Sequence, residues 1–335
     1  MSTAAEVVRR TPRIGAGSAA ITLVAVGAIA ALSIVPSAGS LSAQTTLLNL
    51  LIYAGLAQAW NLVGGYAGQL SLGHSVFVGA GGYTTAMLLI DTGTPAAVAV
   101  VLAGAVGAGL AVATSVALLR LRGAYFAIGS LAVALALQAW MVNWQYTGAS
   151  KGLNIPLRDL PSTETIYFVA LGFVVATCAI AWWFERSAFG LRVMAVRDNE
   201  DGARALGVNG TMVKATVLVM SGALTAMLGA VVAFNQIALV PDNFFGIDWV
   251  INMVIMTIIG GMGTVLGPLI GAGVVYYGIE KQLESHPAIA STLTGALVIV
   301  VIAVAPGGIW GGLRQLAALS LGIARGRRRP ERVHS

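Results

Sequence analysis

The stretch Trp249-Val-Ile-Asn-Met-Val-Ile-Met-Thr-Ile-Ile-Gly-Gly-Met-Gly-Thr-Val-Leu-Gly-Pro-Leu-Ile-Gly-Ala-Gly-Val-Val-Tyr-Tyr-Gly-Ile-Glu280 carries no charge before its last residue. As one straight helix its 32 residues would be about 48 Å long, against a bilayer hydrocarbon core of about 30 Å. The cluster Gly260-Gly261-Met262-Gly263 in the middle is a natural break, so we read two short crossings, 249–260 and 264–280. Apolar runs upstream and downstream complete the pattern: 15–36, 42–63, 70–90, 95–118, 124–142, 164–184, 212–238 and 288–306. With the break the chain has ten spans; without it, nine.

Charge decides between the two. With ten spans and a cytoplasmic N-terminus, sixteen of the nineteen basic residues lie inside, and only Lys151, Arg158 and Lys281 lie outside. Nine spans would place the tail with Arg325, Arg327, Arg328, Arg329 and Arg332 outside, against the positive-inside rule. The expected fold is therefore all-α: a polytopic transmembrane bundle of about ten spans with broken helices and both termini cytoplasmic. The expected organisation is a cytoplasmic segment 1–14, a transmembrane region 15–310 with a cytoplasmic loop at 185–211, and a basic tail 311–335.

Composition supports this reading. Hydrophobic residues make up 57% and charged residues 10%, where soluble domains carry about 25% charged. Only helices or closed barrels satisfy backbone polar groups in lipid, and the runs are continuous rather than alternating. A soluble enzyme, a nucleic-acid binder and a disulfide scaffold are excluded. The net charge of +6 sits in loops and tail, where anionic lipid and topology account for it. Cys178 is the single cysteine and lies in an apolar run. The first segment is longer than a signal peptide's apolar region and is read as an uncleaved helix. All seven tryptophans fall near predicted span ends, where aromatic belts form.

The chain contains no G-x-x-x-x-G-K-[ST] phosphate loop, no H-E-x-x-H, no G-x-S-x-G and no His/Cys cluster. Acids are nearly absent from the spans, whereas ion-coupled carriers keep ionisable groups there for the driving ion. If the chain moves a solute, the energy is expected to come from another subunit.

Two segments carry further information. From Asn61 to Tyr83, seven glycines are interleaved with Asn61, Gln69, Ser71, His74 and Ser75. Such a stretch cannot face lipid as an ordinary helix. It is either a broken helix lining a cavity or a tight helix contact with polar groups satisfied between helices, and the two are compatible. His74 by itself reads as an interhelical hydrogen-bond partner. The second segment, Glu185 to Asn209, is the longest charged stretch between spans. Asp198 or Asn199 can cap a short helix, with Glu200 and Asp201 in its positive first turn and Gly207 as its stop. Such a helix is expected to present Ala203 and Leu206 together as an apolar knob for a partner.

These motifs resemble the permease subunits of branched-chain amino acid ABC importers, of the LivM type. The resemblance spans roughly 41–310. It rests on N-L-V-G-G-Y-A-G-Q-L-S-L-G-H at Asn61–His74, F-V-G-A-G-G-Y at Phe77–Tyr83 and L-R-G-A-Y-F-A-I at Leu121–Ile128. It also rests on T-G-A-S-K-G-L at Thr147–Leu153, F-G-L-R-V-M-A-V-R-D-N-E at Phe189–Glu200, A-L-G-V at Ala205–Val208 and G-G-M-G-T-V-L-G-P-L-I-G-A at Gly260–Ala272.

By that resemblance, Arg197, Asp198, Asn199, Glu200, Ala203, Leu206 and Gly207 belong to a coupling helix seated on a cytoplasmic ATPase. Asn61, Gly65, Gln69, Ser71, Gly73, His74 and Phe77 belong to a translocation path. Thr147, Gly148, Lys151 and Gly152 belong to an outer loop that receives a binding protein. The implied partners are a LivH-type sister permease, two ABC ATPases, an extracytoplasmic solute-binding protein and membrane lipid, with no nucleic acid. No cofactor is expected in this chain, ATP and magnesium belonging to the ATPase, and the implied location is the bacterial inner membrane. The solute is expected to be a branched-chain amino acid or a related small polar molecule such as urea or an amide. A self-sufficient carrier or channel is the rival class; a membrane-embedded enzyme is disfavoured for want of a nucleophile, metal cluster or paired carboxylates in the spans.

Overall fold

The structure, a computed structural model, describes residues 40–305 and 307–314. The expected first span 15–36, the segment 1–14 and nearly all of the basic tail lie outside the described residues. The chain divides into two compact units, Met1–Thr45 and Thr46–Ser335. The opening turn of the first helix belongs to the first unit, and the remaining described residues belong to the second.

Helix α1 (Leu41–Asn61) widens into a π turn, Leu62–Tyr66, and is followed by α2 (Ser75–Thr92), α3 (Ala96–Leu118) and α4 (Ala124–Asn143). Helix α5 (Thr163–Arg186) leads into two short helices, α6 (Ala188–Asp198) and α7 (Glu200–Ala205), and then the long α8 (Gly210–Gln236). One turn, α9 (Pro241–Phe244), precedes α10 (Asp248–Gly260). Helix α11 (Gly267–Ala272) runs on as a widened turn to Glu280, and α12 spans Pro287–Val304. The boundaries follow local chemistry. Ser162, Ser187 and Asn209 each accept a backbone N–H at the start of α5, α6 and α8, and Gly93 closes α2 at φ 61°.

Among the described residues, seven helical stretches are long and apolar enough to cross a membrane. The chain is an all-α, multi-pass membrane protein. Helix α2 is not among the seven because Asp91, Tyr83 and its Gly, Ser and Thr residues dilute its apolar content. The 267–280 stretch is too short, at about 21 Å for fourteen residues. The expected break in 249–280 is present: Gly261 (φ 127°) and Gly263 (φ 68°) adopt conformations that glycine alone takes easily, and the chain reverses there. Helices α10 and α11 then lie against each other so tightly that a methyl group on Gly271 would overlap the Met256 carbonyl oxygen.

Interactions sort the loops onto two ends. At one end, Asn61, Tyr66, Glu185, Arg197 and the 261–264 turn are joined by hydrogen bonds. At the other, β1 (Leu153–Asn154) pairs antiparallel with β2 (Ala238–Leu239), Tyr83 donates to the Leu239 carbonyl at 2.9 Å, and Gln138 donates to Asp242 at 3.0 Å. Helices α1 and α8 form the interior, with 78% and 72% of their central residues buried, against 28% for α4 and 17% for α12. The interior is assembled by small residues: a methyl on Gly81 would strike the Ala226 carbonyl, and one on Gly229 the Val78 carbonyl. Trp60 departs from the expected aromatic belt. It is fully buried, and its indole N–H donates to the Ser71 carbonyl at 2.8 Å, because α1 is enclosed by protein where a belt residue would need the membrane surface.

Candidate functional site at the junction of two broken helices

The two glycine-rich motifs, about 200 residues apart in sequence, meet at one point. Asn61, at the last turn of α1, is fully buried. Its Oδ1 accepts from the Gly263 N–H at 2.8 Å and its Nδ2 donates to the Thr264 carbonyl at 3.0 Å, so one side chain holds the reversal between α10 and α11 from both sides. A methyl on Gly65 would overlap both the Asn61 amide oxygen and the Gly263 nitrogen. Thr264 completes the turn. Its hydroxyl donates to the Gly261 carbonyl at 2.8 Å and accepts the Gly267 N–H at 3.1 Å, serving an otherwise unpaired donor at the start of α11.

The charged stretch 185–209 is wired into this junction twice. Arg197 Nη1 donates to the Gly65 carbonyl at 3.2 Å, placing a cation on carbonyls freed where α1 widens. Gly68, at φ 67°, leaves room for the Arg197 stem. The Tyr66 hydroxyl donates to Glu185 Oε1 at 3.0 Å. Arg197 therefore faces inward to the junction as well as toward Asp198, 2.9 Å away.

Asn199 is the cap of α7, at φ −156°, accepting the Gly202 N–H at 2.8 Å. Asp198 ends α6 instead. Gly207 takes φ 84° and turns the chain toward α8. The expected pairing of Ala203 with Leu206 is corrected. Leu206 is 86% exposed, but Ala203 is 4% exposed and packs into the core beneath α7, since the residue facing inward on a one-and-a-half-turn helix cannot also face a partner. Glu200 is also engaged within the chain. It accepts from Lys214 Nζ at 2.8 Å, with Arg204 3.6 Å and Arg122 4.0 Å away. The Lys214 hydrogen bond holds its carboxyl below the usual carboxylate range.

The remaining residues expected on a path are enclosed. His74 is fully buried, with Nδ1 2.8 Å from Ser71 Oγ and Nε2 2.9 Å from Ser221 Oγ, and Ser221 in turn donates to the Ala59 carbonyl at 2.6 Å. Phe77 packs edge-on to the His74 ring. Among the described residues, Ser71, Gly73 and Phe77 border a cavity of about 10 Å³, room for about one water. Gln69 differs: its Oε1 is buried without a hydrogen-bond partner among the described residues. Of the outer-loop set, Lys151 is exposed, whereas Thr147 is buried with its hydroxyl on the Trp144 carbonyl at 2.9 Å, so it cannot meet a partner. Gly148 (φ 76°) and Gly152 (φ 72°) shape the loop. Sequence reading missed Ser221, a single hydroxyl in an apolar run with no local signal, and the role of Thr264, although the latter stands in the Gly260–Ala272 motif. Glu185, an acid at a span end, offered a faint one.

Residues 42–302 match the protein family described as branched-chain amino acid transport system / permease component. The chain belongs to that family. This permease is similar to the high-affinity branched-chain amino acid transport system permease proteins LivM of Salmonella typhimurium and Escherichia coli. Each is 26% identical over 306 residues, covering 82% of this chain and 72% of the relative. It is also similar to the autoinducer 2 import system permease protein LsrC of Salmonella typhi, 31% identical over 139 residues, 39% of this chain and 40% of that protein. No solved structure matches. The permease is a transport component of the membrane, not a catalytic enzyme.

Proposed function

We propose that this permease is the membrane subunit of an ATP-driven importer in a bacterial inner membrane, carrying a branched-chain amino acid or a similarly small polar solute delivered by an extracytoplasmic binding protein. A sister permease and two cytoplasmic ATPases complete it. The observation that carries this reading is the wiring of α7. A capped helix displays Leu206 to solvent while its preceding residue pair, Arg197 and Asp198, ties it to the junction of both broken helices. A push on α7 then reaches the Gly65 carbonyl through one guanidinium, and Asn61 passes it to the 261–264 turn. The names of the LivM relatives favour an amino acid as solute, and the LsrC relatives keep other small polar solutes in the class.

In this reading Asn61, Gly65, Ser71, Gly73, His74 and Phe77 act as the hinge beside the path, since their polar groups are already satisfied within the chain or, for the glycines, occupied by backbone contact. Of the residues expected on a path, Gln69 keeps an unpaired acceptor among the described residues, and Gln58 and Ser75 also hold unpaired polar atoms there. Of Thr147, Gly148, Lys151 and Gly152, Lys151 is the exposed residue, and Tyr146, Leu157 and Arg158 of the same loop are exposed as well. In this reading the basic residues favour ten spans with both termini cytoplasmic, which puts α7 and the junction on the side an ATPase partner requires.

The test is affinity purification of the tagged chain from its native membrane, as wild type and as Leu206→Glu. The wild type should bring a P-loop ATPase and a second permease. Leu206→Glu should lower ATPase recovery about tenfold or more, the effect of removing an interface anchor, with the permease itself still folded. A chain that purifies alone and transports in vesicles without ATP overturns the reading in favour of a self-sufficient carrier or channel.

A further inference from the structure

Where α3 ends and α8 begins, an open pocket of about 600 Å³ lies beside α7. Arg120 and Arg122 come to it from the turn after α3, and Arg204 from α7, with Glu200 at its edge. Among the described residues none of the three guanidinium groups donates a hydrogen bond. Arg122 and Arg204 stand 3.6–4.0 Å from the carboxylates of Glu200 and Asp201. Those distances are too long for hydrogen bonds, and Glu200 is already taken by Lys214 at 2.8 Å. Arg120 has no acidic neighbour within ion-pair reach among the described residues. Each guanidinium carries five donors in a planar fork that suits phosphate oxygens. The counter-charge in place is smaller than the positive charge, so the pocket calls for an anion with several acceptor oxygens.

The other wall is apolar. Val116 on α3 and Met212 on α8 are 65% and 69% exposed, although both sit on helices long and apolar enough to cross the membrane. An arginine-lined pocket continuous with exposed apolar side chains at the end of two membrane helices matches the two halves of a phospholipid. A free phosphate would use the arginines and leave the apolar wall without a role. A protein surface would have to present phosphate-like charge and an apolar group in the same small volume.

We propose that this pocket binds an anionic phospholipid, its phosphate held by Arg120, Arg122 and Arg204 and an acyl chain lying along Val116 and Met212. The inference rests on the membrane-spanning fold and not on the importer reading, so either can fail alone. Because Arg204 belongs to α7 and Arg122 adjoins Glu200, a bound headgroup contacts the same short helix that the proposed ATPase would use.

The experiment uses the full-length permease in phosphatidylcholine nanodiscs containing a minor fraction of phosphatidylglycerol, with native mass spectrometry of the lipids retained. The wild type should retain phosphatidylglycerol in preference to phosphatidylcholine. Arg120→Gln should reduce that preference about fivefold, and adding Arg204→Gln about fivefold again, from about 1 kcal/mol per basic residue near anionic lipid. Val116→Asn should weaken lipid retention through the apolar wall without touching the charges. Arg327→Gln/Arg328→Gln/Arg329→Gln, which alters the tail only, should leave the preference in place.

Equal retention of the two lipids by the wild type, or loss of the preference in the tail variant alone, overturns the proposal. Displacement of phosphatidylglycerol by millimolar inorganic phosphate, with Val116→Asn silent, assigns the pocket to a free anion instead. Exclusion of the lipid by a co-purified ATPase assigns it to that partner.

Discussion

The two broken helices of this permease solve one problem in different ways. Both leave backbone groups unpaired within an apolar region, where each costs several kcal/mol. After α1, the break is closed by large polar side chains. Trp60 serves the Ser71 carbonyl, and His74 links Ser71 to Ser221 on α8. Between α10 and α11, the break is closed by backbone geometry, two glycines at positive φ and the hydroxyl of Thr264. The first break thus depends on neighbours contributed by several other elements, and the second takes its outside support from Asn61 of α1. Among the described residues Asn61 is the side chain that joins the two by hydrogen bonds. A side-chain-closed break can reopen by rotamer change, whereas a glycine-closed break reopens only by a change of backbone dihedrals, here opposed by the packing of Gly260 and Gly271 on backbone. On this comparison α1 supplies the moving part and the α10–α11 reversal the fixed one.

The largest effect is expected where the fixed break is attacked directly. Gly271→Leu drives a side chain into the Met256 carbonyl and the Gly260 nitrogen. The collision is with backbone, which cannot shift locally, so a loss of about 3 kcal/mol or more and poor recovery of folded protein in a detergent melt are expected.

Next comes the shared clamp. Asn61→Leu strands the Gly263 N–H and the Thr264 carbonyl, and each stranded group costs about 1–3 kcal/mol. Asn61→Asp keeps the acceptor for Gly263 but turns its second oxygen onto the Thr264 carbonyl and buries an acid, so it too should melt well below the wild type. Equal melting of wild type and Asn61→Leu would show that the two breaks are not mechanically joined.

A smaller effect tests the moving break. Gly68→Ala places a methyl at φ 67° and against the Arg197 stem, a strain of about 1–2 kcal/mol. Solute uptake should fall more than stability does, because the contact at risk is the one linking α7 to α1. Uptake falling only in step with the melting temperature would make Gly68 a packing residue and no more.

The smallest effect concerns Glu200. Its carboxyl is held below the ordinary range mainly by the Lys214 hydrogen bond. A depressed carboxylate contributes stability that is present above its unfolded pKa and lost as pH falls through the folded one. The wild type should therefore lose stability on acidification more steeply than Glu200→Gln below about pH 4. Parallel acid profiles would show that Lys214 does not stabilise the ionised form.

The sequence made the membrane helices legible because their apolar content is a local property. The break at Gly260–Gly263 was legible for the same reason, since helix length and bilayer thickness are both local quantities. The cap on α7 needed only three consecutive residues, Asn199, Glu200 and Asp201. Legibility ended where a side chain's role depended on a distant partner. Asn61 and His74 read as polar groups facing a cavity or a neighbouring helix. Gly263 and Thr264 were legible as parts of a break and a motif but not as partners of Asn61, and Ser221 had no signal of its own. Ala203 and Leu206 were legible as apolar, but which of them faced the core depended on how α7 sits against α8.

Composition and spacing by themselves determined an all-helical membrane protein, a break in the middle of 249–280 and a capped charged segment between α5 and α8. Lipid imposes those through hydropathy and hydrogen-bond satisfaction, which each segment must meet alone. Only the tertiary structure decided that the two glycine motifs meet, that Arg197 holds the first of them and that the outer-loop threonine is buried. Those outcomes depend on which backbones approach within a methyl group of each other, and that is a property of pairs of helices.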